Sequence, residues 1–238
     1  MSLTGDVQKL SNELMELARS PEIAAAADAI LASCRAVDLV SDWDACVEKT
    51  NDFTRLCVAA GRLLPAGGSV ETGVFRGGTA AILLHCASPD SFHVSIDPYG
   101  LPSQSYDDML ESYGSWPEVR GVMTRLAQLA EVREVTFCHY LMGASDFVRA
   151  NHLQHPGHFR IVHLDGDHSR AAVAEELRYF RRRIRGPALF ILDDHDDHFP
   201  GVEEGLRDEG TGLVQVFRGL YDFPGTYGKA GFSAWLHV

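Results

Sequence analysis

The chain has 238 residues, 45% of them hydrophobic and 23% charged, the balance of a globular protein with one substantial domain and an extension, or two small domains. Its 33 acidic residues outnumber 21 basic ones and give a formal charge of −12, so no nucleic-acid partner is expected, because affinity for a phosphate backbone rests on Lys and Arg. The apolar runs fall short of the roughly 20 residues a membrane span needs, and no charged-then-apolar signal pattern opens the chain, so the expectation is a cytoplasmic protein without a membrane partner.

Residues from Asp6 to Leu64 read as largely helical. Val7, Leu10, Leu14 and Leu17 form one apolar stripe. Ser20-Pro21-Glu22 starts a second helix, with a capping serine and a proline suited to the first helical position, and the alanine-rich Ile23 to Cys34 continues it. Val40 to Asp44 reads as a connection, and Val47 to Leu64 as a third helix leading to Pro65-Ala66-Gly67-Gly68. Nothing in this segment carries chemistry by itself, so packing against the core or a partner subunit is its expected job, with a substrate lid as the alternative. The expected division is a helical extension over residues 1–66 and an α/β domain over 67–238.

From Gly68 the pattern alternates. Apolar runs at Ser69–Thr72, Phe92–Ile96, Val135–Leu141, Phe159–Leu164 and Ala188–Leu192 are separated by helix-compatible stretches, notably Thr79–Cys86, Gly143–Asn151 and Ala171–Ile184. This is the signature of βαβ units and a parallel sheet covered on both faces. Two further strands, near Leu213–Phe217 and Phe232–Leu236, have no obvious helix between them, and Asp222-Phe223-Pro224-Gly225 suits an antiparallel edge pair. The five cysteines are scattered, odd in number and without a C-x-x-C pair. They suggest neither a disulfide framework nor a thiolate zinc site.

The chemistry-bearing stretches lie at the ends of the predicted strands. Glu71-Thr72-Gly73-Val74-Phe75-Arg76-Gly77-Gly78-Thr79 reads as a strand end, a glycine turn and a helix start. Phe75 stands where a dinucleotide fingerprint has its second glycine, which argues against a pyrophosphate, and Glu71 suits a cationic ligand better. Asp97 ends the second strand, 24 residues after Gly73, where a carboxylate can accept from a ribose diol. Gly143-Ala144-Ser145-Asp146 either presents small and polar groups to an adenine edge or is a helix start capped by Ser145. His163-Leu164-Asp165-Gly166-Asp167-His168 and Leu192-Asp193-Asp194-His195 end two further strands. Strand carboxyl ends meet at one rim, so Asp165, Asp193 and Asp194 are expected to converge and to need a cation, with Mg²⁺ favoured and Mn²⁺ or Ca²⁺ as alternatives. His168 or Asp167 is then placed to take a proton from a substrate hydroxyl. The following Asp196-Asp197-His198 reads as a solvated loop, with an addition to the cation site as the alternative.

Taken together, the glycine turn, Leu164-Asp165-Gly166-Asp167-His168 and Leu192-Asp193-Asp194 resemble the class I S-adenosylmethionine-dependent O-methyltransferases. The resemblance is to the metal-dependent branch with the macrocin, mycinamicin and novobiocin sugar methyltransferases and the cephalosporin hydroxylase-like proteins, and it spans roughly residues 67–200. It implies a Rossmann-like fold with a seven-stranded, mostly parallel sheet and an antiparallel last strand. It implies S-adenosylmethionine contacts at Glu71, Gly73, Phe75, Gly77, Asp97, Ser145, Asp146 and Asp165, and a divalent cation on Asp165, Asp193 and Asp194. Family members differ over the base, some matching His168 and others Asp167; this chain has both. The implied acceptor is a small molecule, a sugar of a glycosylated natural product or a catechol-like hydroxyl, and a homo-oligomer is expected. Two other classes compete: an Fe(II) oxygenase built on His163-Leu164-Asp165, and a non-catalytic S-adenosylmethionine-binding module.

Overall fold

The structure is a computed structural model, and it describes residues 3–39, 46–99, 116–151, 158–222 and 229–238. The connection expected at Val40–Asp44, the turn at Phe223–Gly225 and most of the stretch from Tyr99 to Trp116 lie outside the described residues. Three helices come first: α1 (Leu3–Ala18), α2 (Pro21–Ala36) and α3 (Val47–Leu63). Ser20 caps α2 by accepting from the Ile23 N–H, with Pro21 at the first position as the sequence predicts.

A seven-stranded sheet follows, in the order β3-β2-β1-β4-β5-β7-β6. Its parallel strands are β1 (Gly68–Thr72), β2 (Phe92–Ile96), β3 (Thr136–Tyr140), β4 (Phe159–Leu164) and β5 (Ala188–Asp193). Sequence position and sheet position part at β1, where the chain runs outward to β3 and then returns to the other side through β4. The carboxyl ends of β1 and β4 therefore lie side by side, with Thr72 opposite Leu164, which is where such a sheet opens a crevice for ligands. The last strand, β7 (Lys229–His237), inserts between β5 and β6 (Val214–Asp222) and is antiparallel to both. The expected antiparallel pair is present, but only β6 is an edge; β7 is covered on both sides.

Alternation along the strands sorts the core into two layers. Leu189 and Ile191 face a layer with Leu14, Phe53, Leu56, Leu83 and Leu126, while Phe190 and Leu192 face Phe147, Leu177, Phe180 and Leu206. The helices that cover the sheet are α4 (Gly78–Cys86), α5 (Trp116–Val132), α6 (Ala144–Ala150), α7 (Arg170–Arg181) and α8 (Pro200–Glu209). Sequence reading did not place α5 and α8, although Val119, Val122 and Leu126 form a buried stripe on the first, and Pro200 opens the second. The three N-terminal helices pack on the same layer as α4, with α2 and α3 each against it and α1 and α3 against β6. Among the described residues no helix is long and apolar enough to cross a membrane.

Candidate active site

The glycine turn is held by contacts rather than left open. Gly73 has φ +77°, and a Cβ there would lie 1.8 Å from the Asp165 carbonyl oxygen, so only glycine lets the ends of β1 and β4 approach. Gly77 has φ +78°, and its Cβ would meet Val122 at 2.8 Å. Phe75, also left-handed at φ +48°, completes the turn. Asp97 explains that conformation: fully buried, it accepts the N–H of Val74 at 2.6 Å and of Phe75 at 3.0 Å on Oδ2, and that of Tyr99 at 2.7 Å on Oδ1. Burial raises its pKa and these three N–H groups oppose the rise. The predicted ribose acid is thus first of all the clamp of the glycine turn.

Glu71 is also fully buried rather than facing open space. One oxygen lies 3.1 Å from His163 Nδ1 and the other has no hydrogen-bond partner. Burial, then the charges of Asp165, Asp97 and Asp193, push its pKa well above the usual carboxylate range, and burial lowers His163 to about 4. Burial thus acts against charge on both partners. Ser145 does not cap α6: Gly143 occupies that position without a side-chain bond, which leaves Ser145 in the first turn beside the exposed Asp146.

The acidic rim forms as expected at the ends of β4 and β5, but not as one symmetrical trio. Atoms of Asp165, His168 and Asp194 lie within 4.8 Å of one another, and so do atoms of His163, Asp165 and Asp193. Asp165 belongs to both groups. His168 stands between carboxylates, with Nε2 3.6 Å from Asp165 and Nδ1 3.7 Å from Asp194, and its ring tilts against Phe199. Its Nε2 is buried without a hydrogen-bond partner. Hard oxygen donors around an orphaned imidazole nitrogen fit a divalent cation, which Asp165, Asp193 and Asp194 would hold.

Charge at the rim follows from burial and crowding. Burial and then Asp193 push Asp165 well up, and the same two causes take Asp194 to about 6. For His168 burial acts downward, but the close approach and charge of Asp165, with the charges of Asp194 and Asp193, outweigh it and lift the ring to about 9. Without a divalent cation His168 is therefore an imidazolium at neutral pH and cannot accept a proton. Asp167 is otherwise engaged, since Oδ1 accepts the Ser169 N–H at 2.8 Å at the start of α7.

Three residues at the rim differ from the sequence expectation. Lys49, from α3, is buried with Nζ 2.7 Å from Asp193 Oδ1 and 4.0 Å from Asp194 Oδ1. Burial would raise Asp193, yet Lys49, together with His163 and His168, outweighs it and keeps that carboxyl below its ordinary pKa. The N-terminal helices thus do carry a charged group into the site, contrary to expectation. The signal was a lysine in line with Phe53 and Leu56 on the apolar stripe of α3. Glu176, on α7, accepts the Thr72 hydroxyl at 2.7 Å beneath the turn, and sequence reading missed it because it looks like one acid on an amphipathic helix. Asp196, read as part of a solvated loop, is buried and accepts the N–H groups of His198 and Phe199 as the chain turns into α8.

A methyltransferase-domain family model matches residues 70–195, more than half of the chain. No curated protein sequence matches it. Solved structures share the fold over nearly the whole length. The O-methyltransferase from Bacillus cereus in complex with S-adenosylhomocysteine is 14% identical at TM-score 0.55, covering 90% of this chain and 91% of its own. The O-methyltransferase TomG from Streptomyces achromogenes, involved in tomaymycin synthesis and in complex with S-adenosylmethionine, is 19% identical at TM-score 0.53, with 92% and 90% covered. The N-methyltransferase NodS from Bradyrhizobium japonicum is 10% identical at TM-score 0.53, with 82% and 98% covered. The fold alone therefore does not choose between oxygen and nitrogen acceptors.

Proposed function

The chain belongs to the methyltransferase-domain family, and from that premise we propose that it moves a methyl group from S-adenosylmethionine to a hydroxyl of a small molecule, with a divalent cation, first of all Mg²⁺, at the acidic rim. The observation that carries this reading is the gathering of Asp165, Asp194 and His168 beside the glycine turn. A sugar of a glycosylated natural product is the proposed acceptor, because neighbouring hydroxyls suit a rim of hard donors. TomG, a structural neighbour, is named for a natural-product pathway.

In this reading Gly73, Phe75, Gly77, Ser145, Asp146 and Asp165 meet the cofactor, while Asp97 clamps the turn and Glu71 pairs with His163 beneath the rim. A divalent cation held by Asp165, Asp193 and Asp194 would supply positive charge that makes an adjacent hydroxyl more acidic. His168 takes the hydroxyl proton as the acceptor oxygen attacks the sulfonium methyl in line, so that a C–O bond forms while the C–S bond breaks. Most of the acceleration comes from fixing both reactants on one rim and balancing their charge. Each candidate ligand group among the described residues, His163 with Asp165 and Asp193 and His168 with Asp165 and Asp194, holds one histidine and two carboxylates, not the two histidines and one carboxylate of an Fe(II) oxygenase.

The test is a mass-spectrometric screen of glycosylated and catechol acceptors for a product heavier by one methylene. Asp193→Ala and EDTA are each expected to abolish transfer while calorimetry still detects S-adenosylmethionine binding; Asp165→Ala, which touches both cation and cofactor, is expected to abolish transfer and weaken that binding. Full activity in EDTA would remove the cation from the reaction.

A further inference from the structure

Lys49 is 2% exposed, and lysine is rarely buried unless paired. It reaches the rim from α3, and Phe53, one turn further along, packs edge-on against His163 with ring centroids 5.1 Å apart. That contact fixes the height of this part of α3 over the end of β4. The ion pair of Lys49 with Asp193 is a poor source of stability, since two well-packed apolar side chains of similar volume do as well or better. Its location therefore asks for another reason. Asp193 is the residue by which β5 reaches the site, and Lys49 Nζ sits on its Oδ1.

We propose that Lys49 is a positioning residue of the cation site: its ammonium, 2.7 Å from Oδ1 of Asp193 and 4.0 Å from Oδ1 of Asp194, holds the Asp193 carboxylate in place and offsets part of the charge gathered by Asp165, Asp193 and Asp194. The proposal rests on the cation reading above and extends the site to the N-terminal helices. A partner that orients a metal ligand from outside is worth about 10–100-fold in metal affinity. It also makes docking of α3 and loading of the rim one linked event.

The probe is Mn²⁺, followed by electron paramagnetic resonance on the metal-stripped full chain, with neither methyl donor nor acceptor present. Lys49→Met is expected to bind Mn²⁺ about 10–100-fold more weakly than wild type, and Lys49→Gln, which can still donate to Asp193 without a charge, to fall between them. Thermal unfolding of the same samples in EDTA identifies variants that have lost the fold. If Lys49→Met does not fold, Lys49→Gln against wild type decides. A folded variant that binds Mn²⁺ as tightly as wild type, or more tightly, overturns the positioning role. Wild type that binds no Mn²⁺ overturns the cation reading itself, and that result is seen without any Lys49 variant.

Discussion

Asp97 illustrates how one carboxylate can build a site before any ligand arrives. Its three backbone donors belong to the glycine turn and to the chain just beyond β2, and each buried N–H left unpaired costs about 1–3 kcal/mol. Asp97→Ala is therefore expected to lower the unfolding free energy by at least about 2 kcal/mol and to weaken S-adenosylmethionine binding in calorimetry. Unchanged stability would mean that the turn holds itself. Between the two candidate bases, His168→Ala is expected to lower kcat by about 10²–10⁴-fold, with Asp167→Asn close to wild type; the reverse pattern assigns the base to Asp167. At this scale the acids at the ends of β4 and β5 were legible because parallel strands deliver their last residues to one rim. Lys49 was not, because its contact depends on how α3 lies over the sheet, which no local spacing records. The clamp role of Asp97 was hidden for a related reason: an acid after a strand reads alike whether it faces a ribose or a backbone turn.

Each element at the site is braced by a residue of another. Under the turn, Glu176 of α7 accepts from Thr72 of β1, and burial, partly opposed by that bond, pushes its carboxyl from 4.5 up to about 7. The folded chain thus holds this proton more tightly than the unfolded chain. The stabilisation is fully present below 4.5 and is lost as pH rises through about 7. Across that window the Tm of wild type is expected to fall relative to Glu176→Gln, whose amide oxygen still accepts from Thr72 and does not titrate; parallel Tm curves would contradict it. Gly73→Ala is expected to give no cooperative unfolding transition, since its Cβ meets the backbone of the β4 loop. The parallel strands were readable because strands buried on both faces are continuous apolar runs. The insertion of β7 between β5 and β6 was not, because hydrophobic pattern reports burial and not the order of neighbours.

Across the whole molecule, a sheet covered on both faces brings the chemistry of β1, β4 and β5 to one rim, and the N-terminal helices close over part of it. At Lys49 the N-terminal helices and the α/β part of the chain meet in ion pairs with Asp193 and Asp194. The central claim joins a methyl donor at the glycine turn to a cation at the rim, and a crystal grown with S-adenosylmethionine and Mn²⁺ tests it most directly. The expected result is the donor lying along Gly73–Gly77 and an anomalous Mn²⁺ peak in contact with Asp165, Asp193 and Asp194. A donor bound at the turn with no Mn²⁺ at the rim, and Lys49 alone balancing its carboxylates, would contradict it.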